Sequence, residues 1–143
     1  MDYRVYPNGT NPVIALRLDP GDEIVSLIME VAEKENIQAA TVSGLGATDD
    51  VTIGILDLAS KQYTRTDMKE PFEITSFIGN LSRKDGEVYL HSHINLGGLD
   101  GIVRGGHLHR AVISVTAELF IRPFDGAIER KMNEEIGVNQ MIF

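Results

Sequence analysis

The chain has 143 residues, 43% hydrophobic and 24% charged, with no cysteine and a formal net charge of -8. That size is one globular domain with room for a real core, and no stretch approaches the roughly 18 uninterrupted apolar residues of a membrane span. The 13 basic residues are scattered among acids, as at Lys61, Arg65, Lys69, Arg130 and Lys131, which argues against a direct grip on nucleic-acid phosphates.

The opening "MDYRVYPNGT" lacks the basic and apolar regions of a secretory signal, so a cytoplasmic location is expected. Val13 to Leu18 reads as a half-buried strand. Asp19 is expected to cap a helix whose first residue is Pro20, where a missing N–H costs nothing, and Asp22 and Glu23 suit its positive end. Ile24, Leu27, Ile28, Val31 and Ala32 follow at helical spacing, and Lys34 to Asn36 closes the helix.

From there the pattern is one of strands. "AATVSGLGAT" is a β run with glycines that suggest a bulge or a close backbone approach. "DVTIGILDL" and "KQYTRTDM" are strands joined at Ala59-Ser60. "FEITSFIGNL" and "EVYLHSHINL" form a hairpin, with Asp85-Gly86 as the turn signal. In "RAVISVTAELFIRP", Ala111, Ile113, Val115, Ala117, Leu119 and Ile121 fall on one face. "AIERKM", after Phe124-Asp125-Gly126, is expected as a further hairpin partner, and the apolar end of "NEEIGVNQMIF" is expected to pack. The fold class is α+β: a single domain over residues 1–143, with a mixed, largely antiparallel central sheet and one long helix packed on it.

All four histidines of the chain lie in "VYLHSHINLGGLDGIVRGGHLHRAVISV", as the pairs His91/His93 and His107/His109. Residues two apart on a strand point the same way, so His91 and His93 share a face with Glu87 and Tyr89. Val88, Leu90, Ile94 and Leu96 take the other face. A hairpin centred near Leu99 would set His91 opposite His107 and Tyr89 opposite His109. Opposed residues have Cβ atoms about 4.5–5.5 Å apart, close enough for two imidazoles to share one ion. One His-x-His pair on a strand is ordinarily just a polar face. Two pairs beside Gly105-Gly106, where backbones can approach closely, point further toward a metal site.

Other chemistry is less supported. Ser92 faces away from the histidines, so a serine triad is not expected. "GLGATDD" and "GGLDGIVRGG" lack the lysine and spacing of a phosphate loop. Glu73 and Glu118 are candidate bases if they reach the histidine face.

"EPFEITSFIGNLS", "VYLHSHINLGGLDGIVRGGHL" and "AVISVTAELFI" together resemble the plant and prokaryote conserved (PPC) domain. Gly44, Gly46, Phe72-Glu73-Ile74, Gly79-Asn80, His91-x-His93, Asp100-Gly101 and Gly105-Gly106-His107-Leu108 fall in the family's order. The resemblance implies a homotrimer of mixed α/β units, and a metal such as zinc on His91, His93 and His107 with a fourth position open. His109 then stands as a bystander or a group behind the ligands. Plant members add a basic hook for AT-rich DNA, the source of the family's DNA-binding label. This chain has no such hook, and Pro71 stands where the plant motif has arginine, so direct DNA binding is not implied for it. A small metal-dependent hydrolase or lyase, and a DNA-associated regulator, are the alternatives. The cupins also use His-x-His pairs, but "INLGG" offers no glutamate after the pair.

Overall fold

The computed structural model describes residues 1–143. Its elements in chain order are β1 (Asp2–Tyr6), β2 (Val13–Leu18), α1 (Ile24–Lys34), β3 (Ala40–Asp57), β4 (Gln62–Met68), β5 (Phe72–Lys84), β6 (Glu87–Gly98), β7 (Val103–Pro123), β8 (Glu129–Asn133) and β9 (Val138–Ile142). All nine strands join one sheet, and its ladders are antiparallel except for a single parallel pair between β5 and β8. The mixed, largely antiparallel α+β architecture is as the sequence suggests. No helix is long and apolar enough to cross a membrane.

Long strands make this possible. The two β runs read in residues 40–57 are one continuous strand, β3, which pairs with β5 and β7 along its first half and with β4 and β7 along its second. β6 in turn pairs with both β5 and β7, so β3, β5, β6 and β7 close a circuit of ladders around the core. Gly44 and Gly46 permit close backbone approach within it: a Cβ built on Gly44 would stand 2.5 Å from the Glu118 carbonyl oxygen. The hairpin at Asp85-Gly86 has φ of 54° and 86°, the paired positive values of a tight two-residue turn.

The helix is short, 11 residues, and begins four residues later than the sequence suggests. Gly21 has φ of +90°, which ends any helical path, and the segment around it is bonded to β7: Gly21 N–H donates to the Ile113 carbonyl and Ile113 N–H to the Asp22 carbonyl. Glu23 is therefore the cap, accepting from the N–H groups of Val25 and Ser26. Ile24, Ile28, Val31 and Ala32 are buried as their spacing requires, and α1 packs on β6 and β7.

Two further expectations are corrected. Val115 is 66% exposed, because β7 uses Ser114, Val115 and Thr116 where β3 uses only Ala47, and the bulge turns Val115 outward. "AIERKM" does not return along β7. Both edges of β7 near Ile121 are already taken, by Ile14 of β2 and Val42 of β3. The chain instead crosses the start of β3, where Phe124 N–H donates to the Ala39 carbonyl, and reaches β5, where Arg83 N–H donates to the Ile128 carbonyl. There β8 and β9 form their own hairpin. The apolar tail does pair, as β9, although Phe143 is exposed.

Candidate metal centre

The histidines sit where two strands part. β6 and β7 are paired from Gly97↔Val103 to His93↔His107, and there the ladder ends. Beyond that point β7 continues beside β3, with His107 opposite Gly54, while β6 continues beside β5 with His91 opposite Asn80. The hairpin is thus centred one residue later than the sequence suggests, and His107 faces His93 rather than His91; Tyr89 and His109 are not partners. Because the change on each pairing is two residues, the side chains keep their face. His91 stands diagonally across from His107.

The consequence is a three-imidazole cluster. One ring nitrogen from each of His91, His93 and His107 lies within 4.8 Å of the other two. Ring centroids are 5.3 Å apart for His91–His93, 5.3 Å for His91–His107 and 5.6 Å for His93–His107. Tetrahedral bonds of about 2.0–2.1 Å would need nitrogens about 3.3 Å apart, a contraction that small side-chain rotations supply. His107 Nδ1 is buried with no hydrogen-bond partner, an uncompensated polar atom that a cation would satisfy. The residues therefore fit an ion held only by nitrogen donors.

The protonation states favour it. Burial, then the neighbouring imidazoles of His91, His109 and His93, pushes His107 down to about 4. Burial and next the Arg130 guanidinium lower His91. Both rings are neutral at pH 7, with lone pairs free for a metal.

His109 stays outside the cluster. Burial, then Arg65, lowers it, and its ring lies edge-on to Tyr63 at 5.2 Å between centroids. Its Nε2 is also buried without a partner. A Cβ on Gly54 would stand 2.5 Å from that atom, so Gly54 gives His109 its room. Ser92 is buried on the opposite face of β6, as expected.

The parting strands leave a cavity of about 190 Å³ between Tyr63, Tyr89, His91, His107 and the β8–β9 residues Met132, Gly137, Val138 and Asn139. A second, more open depression beside Ile78, Gly79 and Asn80 is lined by His91 and His93. Neither Glu73 nor Glu118 lines either space, and no other carboxylate does. Burial, then Tyr89, raises the Tyr63 phenol, which remains a hydrogen-bond donor. The part played by β8 and β9 is absent from the sequence reading. It depends on the crossing over β3, for which the alternation in "AIERKM" carries no signal.

The Plants and Prokaryotes Conserved (PCC) domain matches residues 6–125. The solved metal-containing protein from Archaeoglobus fulgidus is 36% identical, with a TM-score of 0.86 over 99% of this chain and 97% of that one. A plant- and prokaryote-conserved protein from Pyrococcus horikoshii is 31% identical, with a TM-score of 0.87 over 99% and 95% of the two chains. A Bacteroides thetaiotaomicron protein named a "putative DNA binding protein" is 26% identical, with a TM-score of 0.89 over 99% and 97%. No curated protein matches the sequence.

Proposed function

The chain belongs to the Plants and Prokaryotes Conserved domain family, and we propose that it is a cytoplasmic, homotrimeric binding module, one domain over residues 1–143, that holds one zinc-like divalent ion on His91, His93 and His107. The observation that carries this is the convergence of three imidazoles from diverging strands, one of them with a buried nitrogen lacking any partner. An all-imidazole set without thiolate suits zinc and its first-row neighbours, and excludes the hard, oxygen-seeking ions. The relative named as metal-containing supports the same conclusion.

Three protein ligands leave a coordination position for an exogenous ligand, where a bound divalent ion would act as a Lewis acid. The chain's own residues shape what reaches that position. Tyr63, Tyr89 and Asn139 offer polar groups, and Met132 and Val138 make one wall apolar. The absence of a carboxylate beside the cluster leaves a hydrolytic role without its usual proton acceptor, which favours ligand binding over turnover. The test is metal analysis of protein purified without added metal, alongside His91→Ala and His93→Ala.

Self-association is supported by the outer face of the sheet. Ser43 is the register partner of both Ile78 and Phe120, and Leu45 lies two residues along the same face. Ile78, Leu45 and Phe120 are 64%, 57% and 44% exposed, an apolar patch of the kind that marks an interface.

Direct DNA binding is the weaker alternative. The name of the Bacteroides relative favours it, and the net charge of -8 opposes it. Binding to AT-rich duplex at about 50 mM salt, falling steeply by about 200 mM, would support it; no binding at the lower salt would remove it.

A further inference from the structure

Arg130 is 6% exposed, yet no carboxylate meets it. Its Nε donates to Ser82 Oγ at 2.7 Å, one terminal nitrogen to the Asn139 carbonyl at 2.9 Å and the other to Asn80 Oδ1 at 2.6 Å. Its guanidinium lies over the Tyr89 ring, 4.8 Å from the centroid. Every partner is neutral. A buried arginine is ordinarily matched by an acid, because an unpaired charge in a poorly solvated place is costly. The chain's other deeply buried arginine follows that pattern: Arg83 pairs with Glu33 at 2.8 Å.

The position of the unpaired charge is informative. Two of its partners, Tyr89 and Asn139, line the cavity beside His91 and His107, and a third, Asn80, lines the depression beside His91 and His93. Asn80 is also the register partner of His91. The guanidinium thus stands one side chain behind the histidine cluster, while the polar side chains lining the cavity are phenols, an amide and imidazoles. Asn139 Nδ2 donates to the Tyr89 hydroxyl at 3.5 Å, which leaves the phenol proton free to donate into the cavity. β8 and β9, which carry Arg130 and Asn139, lie beyond the residues the family match covers.

We infer that the β8–β9 hairpin makes the histidine cavity a site for a small carboxylate, with Arg130 supplying the balancing positive charge from behind the wall and Tyr63, Tyr89 and Asn139 supplying hydrogen bonds. This deepens the metal-binding proposal, since the carboxylate takes the open coordination position. A volume of about 190 Å³ admits a ligand displacing about six waters, the size of a short organic acid. Arg130 positions and attracts; it does not touch the ligand.

The test titrates sodium acetate, and acetamide as its uncharged counterpart, at constant ionic strength. Metal-free protein is followed by the backbone amide NMR signals of Val138 and Asn139, and cobalt-loaded protein by its visible absorption. Acetate is expected to shift the hairpin amides saturably and to change the cobalt spectrum, with acetamide doing neither. Arg130→Gln should weaken acetate about tenfold while cobalt still loads, and Arg130→Lys, which keeps the charge, should recover most of the loss. Should Arg130→Gln not fold, Arg130→Lys with Tyr89→Phe provides the comparison: the first keeps acetate binding and the second weakens it. Cobalt loading with equal response to acetate and acetamide, or with none to either, overturns the carboxylate site. Acetate shifts that depend on Arg130 in a protein that never takes up cobalt would overturn the metal instead.

Discussion

His93 and His107 are the last register partners of the β6–β7 ladder, and His107 is at the same time opposite Gly54 of β3. A single side chain at this fork is held from both sides by backbone pairing, which fixes where its ring can point. The cluster is therefore a product of strand divergence, and its rigidity comes from the ladders rather than from contacts among the imidazoles.

Removing one imidazole should empty the site. His91→Ala, His93→Ala or His107→Ala is expected to lower metal content from about one ion per chain to about none, while His109→Ala keeps it, since two remaining ligands do not make a stable site. Inductively coupled plasma analysis of each variant reads the outcome. Retention in all three cluster variants would be incompatible with these ligands.

Gly54→Ala should damage the site without touching a ligand. The new methyl would meet His109 Nε2 at 2.5 Å and Tyr63 Cδ1 at 3.0 Å, so both rings must move toward His107 or outward. Overpacking of this kind costs about 1–3 kcal/mol, to be read by urea denaturation, together with weaker metal binding. Gly44→Ala, which meets the backbone oxygen of Glu118, should cost at least as much in stability and leave metal stoichiometry unchanged in the fraction that folds.

The metal-free protein should lose stability in mild acid. His107 is held at about 4 in the folded chain, against about 6.5 when unfolded. Between those values the unfolded state binds the additional proton, so the stabilisation is fully present above about pH 6.5 and is lost as the pH falls toward 4. His91 is lowered as well and acts in the same direction. Denaturation midpoints across pH 7 to 4.5 should fall, and His107→Gln should flatten the slope. An unchanged slope in that variant would assign the acid sensitivity elsewhere.

The outer apolar patch should control assembly. Leu45→Glu or Ile78→Glu is expected to convert a particle about three times the 15.7 kDa chain mass into monomer, as measured by light scattering. A wild-type monomer would contradict the trimer.

Much of this was legible in the residues. Alternation placed His91 and His93 on the polar face of β6 and Ser92 on the buried one, because a strand's period of two is insensitive to what it pairs with. The register was not legible, since a hairpin centred at Leu99 or one residue later satisfies the same alternation. Helix onset is not legible because Gly21 and its bonds to β7 overrule the local preference of Asp19-Pro20 for a helix start. The cavity's far wall is hidden for a larger reason: β8 and β9 reach the histidines by crossing β3, and topology of that kind leaves no periodic trace.

The most direct measurement is an anomalous-difference map at the zinc edge from crystals grown with zinc. A single strong peak per chain, about 2.0–2.1 Å from one nitrogen each of His91, His93 and His107, is the predicted result. No peak there, or a peak held by carboxylates at the surface while the three rings stay apart, would contradict it.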